Sequence, residues 1–341
     1  MTSILVTGGA GYIGTVLCEM LMDQGHTVKI LDRLYFGREP LAELGERPGL
    51  QVVKDDIRYV DATPFEGVEV VMHLAAISND PSCDLDPEIS QSINVAGTIR
   101  VGELAKRAGV KRFIFSSSCS VYGHGQSDLL TEESPKAPVS LYARSKIEGE
   151  DALLAMQSPE FAVTVLRSAT AYGISPRMRF DLVLNIMTLY AYKRRRIFVL
   201  GQGQQTRPMV HVRDIGRAFM TVMNAPAETV GGEIFNVGSS EQNYKVYRVA
   251  QMVRDVVPHT EVELVPDDPD KRDYNVSFDK IAKVLDFKVQ KTPYEGCVEI
   301  KQALERGTVD DHIRTKTVDY YRYLLDAERL LKDVSRDGEV F

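Results

Sequence analysis

Tyr142 and Lys146 stand four residues apart, a spacing that sets both side chains on one face of a helix. Lys146 is also the only lysine that follows a tyrosine by four. Upstream runs Ser116-Ser117-Ser118-Cys119-Ser120-Val121-Tyr122-Gly123, which offers the Ser118 hydroxyl at the end of an apolar strand. A hydroxyl, a phenol and an ammonium within reach of one another can move a proton while a bound nicotinamide moves a hydride. That is the minimum chemistry for interconverting an alcohol and a ketone. A neighbouring ammonium and a positive nicotinamide both favour phenolate, so the reading expects Tyr142 to titrate below an ordinary tyrosine.

Such chemistry needs a cofactor site, and the N-terminus supplies its signature. Ser3-Ile4-Leu5-Val6-Thr7 reads as a buried strand, and Thr7-Gly8-Gly9-Ala10-Gly11-Tyr12-Ile13-Gly14 opens an apolar-periodic helix through Val16, Leu17, Met20 and Leu21. Gly8 permits the tight turn, Gly11 lets backbone approach a diphosphate, and Gly14 allows close helix–strand packing. The second strand, Thr27-Val28-Lys29-Ile30-Leu31, ends in Asp32, where a carboxylate binds ribose hydroxyls and favours NAD over NADP. Arg33 leaves NADP open, since a guanidinium there could meet a 2′-phosphate. Asp56-Ile57 could recognise an adenine edge, and the small residues of His73-Leu74-Ala75-Ala76 let backbone approach the cofactor. His73 itself reads as a histidine satisfied within the fold.

The positioning elements alternate. Gln51-Val52-Val53, Val68 to Leu74, Arg112 to Phe115 and Ala162 to Leu166 read as successive buried strands separated by helices, which predicts an α/β fold with a doubly wound parallel sheet. After Gly173 proline, arginine and glycine become frequent, and Gly232 to Gly238 reads as a strand rejoining the sheet edge. The chain therefore divides into a cofactor domain of residues 1–173 and 209–240, an interleaved smaller lobe of 174–208 and 241–314, and a helical tail of 315–341. An amphipathic helix in that tail runs through Tyr320, Leu324, Leu325 and Leu330.

The 341 residues carry a formal charge of −7, which argues against a nucleic-acid or anionic-membrane surface. Lys193-Arg194-Arg195-Arg196, the one dense basic run, reads as a helix end. Cys18, Cys83, Cys119 and Cys297 are scattered without metal-ligand spacing. No signal peptide or membrane-spanning stretch is evident, so a cytoplasmic protein with reduced thiols and no metal is expected.

Together with Asn94-Val95-Ala96-Gly97-Thr98, these motifs resemble the extended short-chain dehydrogenase/reductases that act on nucleotide sugars. The resemblance implies an NAD site of Gly8, Gly11, Tyr12, Ile13, Gly14, Asp32, Arg33, Asp56, Ile57, Leu74, Ala75, Ala76, Asn94, Ser116, Tyr142 and Lys146. It implies Ser118, Tyr142 and Lys146 as the catalytic set. For the nucleotide-diphosphate sugar it implies Ser78, Ser118, Cys119, Ser120, Arg177, Arg179, Asn185, Arg207 and Arg272, with Arg207 and Arg272 foremost at the phosphates. A homodimer through helices near Asn94 to Lys106 and Tyr142 to Met156 is implied as well.

The fate of the oxidised sugar separates the members of that family. Dehydratases follow the hydroxyl residue with an Asp-Glu pair, where this chain has Cys119 and Ser120, neither suited to carboxylate work. Relatives that epimerise at C3 or C5 place a cysteine one residue later than Cys119. Ser118, Tyr142 and Lys146 resemble the UDP-galactose 4-epimerase arrangement. Gly173 to Leu182, Asp268 to Tyr274, Pro81 and Cys83 more closely resemble a branch with a GDP-heptose 4-oxidase. The sequence thus points to 4-epimerisation, with C4 oxidation or reduction of a GDP-linked sugar as the alternative; a mutase or a non-catalytic NAD sensor is weaker.

Overall fold

Alternation decides where the first strand goes: Ile4 and Val6 point to one face of a sheet and Leu5 to the other, and all three are fully buried. The computed structural model describes residues 1–45, 47–124, 129–266, 272–336 and 339. In chain order come β1 (Ser3–Thr7), α1 (Tyr12–Asp23), β2 (Thr27–Asp32), β3 (Leu50–Lys54) and β4 (Val70–His73). Two short helices, α2 (Asp80–Cys83) and α3 (Pro87–Gln91), lead through a π turn at Ser92–Gly97 to α4 (Thr98–Arg107), β5 (Arg112–Ser118) and α5 (Leu141–Leu154). Then follow β6 (Ala162–Ser168), β7 (Thr170–Tyr172), α6 (Val183–Arg194), β8 (Arg196–Leu200), β9 (Thr206–His211), α7 (Val212–Asn224), α8 (Ala227–Val230) and β10 (Ile234–Val237). The chain closes with β11 (Asn243–Lys245), α9 (Val246–Val256), β12 (Glu261–Val265), α10 (Asp279–Leu285), α11 (Pro293–Arg306) and α12 (Thr317–Val334).

Seven strands form one parallel sheet in the order β10-β6-β5-β4-β1-β2-β3. This is the doubly wound Rossmann-like arrangement that the alternation predicts, with the order reversing beside β1, where a crevice opens at the carboxyl ends of the strands. The strand expected near Gly232 is the edge strand β10, paired with β6. β5 and β6 run further than their apolar residues suggest, because Ser116, Ser117 and Ser118 stay in register with Leu166, Arg167 and Ser168. Hydrogen bonding extends these strands where hydrophobic patterning stops.

One face of the sheet packs α1 and α7 over Ile4, Val6, Ile30, Met72 and Ile114; the other packs Leu5, Val71, Phe113, Phe115 and Val163 under the α4 and α5 side. A third core, built on Phe180, Leu184, Ile197, Val249 and Ile300, belongs to the smaller lobe. That lobe carries two small sheets, β11-β9-β7 and β12-β8. The basic run closes α6, with Arg195 in a left-handed conformation at the helix end, Lys193 paired with Asp310 and Arg196 with Glu261. In α12 the Tyr320 ring is buried, whereas Leu330 of the expected apolar stripe faces solvent. Among the described residues no helix is long and apolar enough to cross a membrane.

One buried ion pair fixes the helix that carries Tyr142. Arg167 of β6 donates from Nε and Nη2 to the two carboxylate oxygens of Glu150 of α5, at 3.0 and 2.7 Å. Ser117 Oγ of β5 donates to the same carboxylate at 2.5 Å, and Arg167 Nη1 donates to Tyr122 Oη, which donates to Asn236 of β10. Both charged side chains are essentially inaccessible to water, so removing one strands the other. Glu150→Ala is expected to lower the unfolding free energy by about 3–5 kcal/mol in urea titrations monitored by circular dichroism.

Candidate active site

The cleft at the carboxyl ends of the strands has a volume of about 660 Å³. Its floor is the glycine turn. A Cβ on Gly8 would come within 2.7 Å of Ala75 N, and one on Gly14 within 2.2 Å of Gly8 O, so both positions need glycine for close packing. Gly11 caps α1 with extended backbone and no side-chain partner, which leaves the amides of the first turn open to an anion. Asp32 Oδ2 accepts from Ala10 N at 3.0 Å and Oδ1 from Leu34 N at 2.7 Å, which aims the carboxylate along the cleft wall. Burial raises its pKa against these bonds. Tyr12, Ile13, Arg33, Asp56, Ile57, Leu74, Ala75, Ala76 and Ser116 share the wall. The glycine cradle, the free helix amides and the ribose-side carboxylate together fit an NAD molecule.

The half-exposed Arg33 turns toward Asp56, with Nε 3.7 Å from Oδ2, while Arg58 holds the same carboxylate at 2.7 Å. Asp56 thus carries two cations, and Arg33 is already engaged. His73 behaves as a fold residue: Nδ1 shares a proton with Thr7 Oγ1 at 2.6 Å and Nε2 with Thr98 Oγ1 at 2.9 Å, and burial pulls its pKa down to about 3.

The proton-transfer set converges in the same cleft. Ser140 caps α5 by accepting from Ala143 N, so Tyr142 sits in the first turn and Lys146 one turn later. Ser118 lines the cleft beside Tyr142 and acts to lower the pKa of its phenol. Lys146 Nζ donates to Ser116 O at 2.8 Å and lies 4.8 Å from the Phe115 ring centre and 5.7 Å from that of Tyr142. Burial pulls the Lys146 pKa down to about 8. The expected lowering of Tyr142 is absent from the protein alone: burial, then the Asp80 carboxylate, raise its pKa, and Arg179 and Ser118 oppose them without prevailing. A buried phenol keeps its proton until a positive charge arrives beside it.

Four sequence-assigned residues do not line the cleft. β5 ends at Ser118, and the chain turns into a tight helical turn at Cys119–Tyr122. That turn buries the Cys119 thiol, which donates to Arg167 O at 3.2 Å, and the Ser120 hydroxyl, which has no hydrogen-bond partner among the described residues. Asn94 is buried behind the wall, bonding both N–H and C=O of Ile77 and the Ser145 hydroxyl. Asn185 is a staple: its Nδ2 donates to Tyr12 Oη and Arg179 O, and its Oδ1 accepts from Gly173 N. Cys83 is buried as well and donates to Ile77 O, while its neighbour Pro81 lines the cleft.

Ser78, Arg177, Arg179, Arg207 and Arg272 do line it. Arg179 is committed to a two-pronged pair with Asp181, at 3.1 and 2.6 Å, and to Ser78 Oγ at 3.2 Å. Arg207 Nη1 donates to Thr206 O and to Arg272 O, and its guanidinium lies 5.7 Å from the Tyr274 ring centre. Of the string from Asp268 to Tyr274, residues 268–271 lie outside the described residues. Sequence reasoning missed Asp80. It stands just after the Asn79 cap of α2, pairs with Arg272 Nη1 at 2.7 Å, and leaves Oδ1 buried without a hydrogen-bond partner among the described residues. Asn79-Asp80-Pro81 carries a helix-start signal that marked the position.

The family model described as the NAD dependent epimerase/dehydratase family matches residues 4–238. A UDP-glucose 4-epimerase of Mycolicibacterium smegmatis is 35% identical over 244 residues, covering 69% of this chain and 76% of its own. Among solved structures, a UDP-glucose 4-epimerase of Thermotoga maritima with UDP-glucose superposes with a TM-score of 0.80 at 25% identity, covering 90% of this chain and 100% of its own. The dTDP-glucose 4,6-dehydratase DesIV of Streptomyces venezuelae, with NAD bound, gives 0.80 at 27%, covering 91% and 99%.

Tyr142→Phe is expected to lower turnover by about two to four orders of magnitude while leaving NAD affinity nearly unchanged, measured by steady-state kinetics and calorimetry. In the cofactor-free protein Lys146 loses its proton near pH 8, whereas the unfolded chain keeps it to about 10.5. Across that window the unfolded state binds more protons, so this residue's contribution to stability rises with pH. Comparing urea unfolding of wild type and Lys146→Met between pH 7.5 and 10 isolates the effect: the wild type should gain stability relative to the variant.

Proposed function

The chain belongs to the NAD dependent epimerase/dehydratase family, and from that premise we propose that it is an NAD-dependent UDP-sugar 4-epimerase. The observation that carries this reading is the convergence of Ser118, Tyr142 and Lys146 on one cleft in which the two residues after Ser118 are withdrawn. Held by the glycine turn and Asp32, NAD would supply a reversible hydride acceptor for C4. Tyr142 Oη takes the 4-hydroxyl proton and gives it back. Ser118 Oγ orients that phenol, and the Lys146 ammonium favours its anionic form. Expelling a C6 oxygen needs an acid beside Ser118; Cys119 and Ser120 are turned away, which disfavours dehydration.

For the substrate, Arg207 and Arg272 are the proposed diphosphate ligands, because guanidinium forks match phosphate oxygens. Tyr190, Phe198, Leu200 and Val246, contributed by α6, β8 and α9 to the cleft wall, form the proposed seat of the base. The similar proteins are UDP-glucose 4-epimerases, which favours uridine over guanosine. On this reading segments 1–173 and 209–240 hold the cofactor and 174–208 with 241–314 the sugar nucleotide. The four cysteines are all buried and unpaired, which suits a reducing cytoplasm. Gly102 lets α4 approach Leu153 of α5 closely, giving the two-helix face proposed for a homodimer.

Incubation with UDP-glucose, UDP-N-acetylglucosamine, UDP-glucuronic acid and GDP-mannose, followed by mass and proton spectra, tests the reading. The expected product is a C4 isomer of unchanged mass from a UDP-sugar. A product lighter by two hydrogens would replace the epimerase by a C4 oxidase, and turnover of the GDP-sugar alone would replace the base.

A further inference from the structure

Burying a cation with its donors incompletely met is costly, and this chain does so at Arg177. Arg177 is 4% exposed, and among the described residues its Nε and Nη1 have no hydrogen-bond partner. Its guanidinium lies over the Phe36 ring, 3.5 Å from the centre, and Nη2 donates to Thr317 Oγ1 of α12 at 3.1 Å. Thr317 in turn donates to Asp181, so the guanidinium is pinned from the helix side.

The surroundings are those of the cofactor. Ser175, two residues before Arg177, donates to Tyr12 O at 2.7 Å and bonds Thr15 Oγ1 at 2.9 Å, which ties this loop to the first turn of α1. Asp32 is an electrostatic neighbour, and Phe36 belongs to the loop that follows it. Arg177 therefore stands between the anion-accepting end of α1 and the ribose-side carboxylate. The helix α12 reaches the same place: Val318 and Tyr321 line the cleft, and the Tyr320 and Tyr321 rings lie 5.2 and 5.5 Å from Phe36. Phe180 N donating to Thr315 O at 2.7 Å and Arg314 paired with Glu39 at 2.9 Å anchor the start of the tail on both sides.

We infer that the C-terminal helix is part of the cofactor site: through Thr317 it holds the Arg177 guanidinium toward the NAD diphosphate, and with Tyr321 it covers the adenosine side of the cleft. Arg177 is thereby reassigned from the sugar nucleotide to the cofactor. The inference rests on NAD binding and not on the fate of the sugar. A covered cofactor suits an enzyme that must return the hydride it has taken.

The test is calorimetric titration of the full chain and of Arg177→Met, Thr317→Val and Tyr321→Ala with NAD and, separately, with UDP, circular dichroism checking the fold. Arg177→Met should weaken NAD about 10- to 100-fold, as expected for lost charge-assisted hydrogen bonds, with UDP affinity within twofold. Tyr321→Ala and Thr317→Val, which keep the cation, should raise the fraction of NAD lost on desalting. Unchanged NAD affinity in a folded Arg177→Met overturns the inference, as does weakening of UDP instead. Wild type that binds NAD with this arginine dependence yet turns over no sugar nucleotide would sink the epimerase reading and leave the inference standing.

Discussion

How closely the first turn of α1 can approach the ends of β1 and β4 is the constraint on which the rest of this molecule depends. With Gly14 against Gly8 O and Gly8 against Ala75 backbone, no side chain intervenes between helix and sheet. The helix amides then face a cleft that the end of β5 also lines, with Ser118 and Tyr142 on its wall. Any side chain at Gly14 would push α1 outward and with it the loop of Ser175 and Arg177, which hangs on Tyr12 and Thr15. The cofactor site, the inserted loop and the C-terminal helix are coupled through that contact.

The polar side chains around the cleft fall into two groups. Glu150 with Arg167, Asp181 with Arg179, Asn185 with the Arg179 carbonyl, and His73 with Thr7 and Thr98 are satisfied within the fold and hold the walls in register. Arg177 and Asp80 each keep a buried polar atom without a partner among the described residues, and burial works against the charged forms of Tyr142, Lys146 and Asp32. Burial pulls Lys146 down to about 8 and pushes Tyr142 up, so in the absence of a ligand the phenol keeps its proton while Lys146 is still an ammonium at neutral pH. A positive nicotinamide beside the phenol reverses part of that balance, which lets the same residues release and reclaim a proton during one turnover.

Much of this was legible in the sequence, because the signals were local. Apolar alternation and glycine spacing gave the sheet, the turn and Asp32; a four-residue spacing gave Tyr142 and Lys146. What failed depended on contacts remote in sequence. Cys119 and Ser120 look available beside Ser118, but the chain turns into a helical segment there and buries them. Asn94 and Asn185 have the right chemistry for a ligand, yet each meets a backbone group more than ten residues away that claims it first. Asp80 was overlooked since a helix-start aspartate is ordinary until Arg272 is placed opposite it. The position of α12 was equally hidden: its periodicity predicts a helix, and nothing in periodicity says which cleft the helix will cover.

The account stands or falls on whether hydride leaves and returns to the same carbon. Turnover of UDP-glucose carrying deuterium at C4, with product examined by mass and proton spectra, measures this directly. A 4-epimerase gives a C4 isomer that retains its deuterium at C4 in unlabelled buffer. Deuterium accumulating in free reduced cofactor, with a ketone left on the sugar, would contradict it.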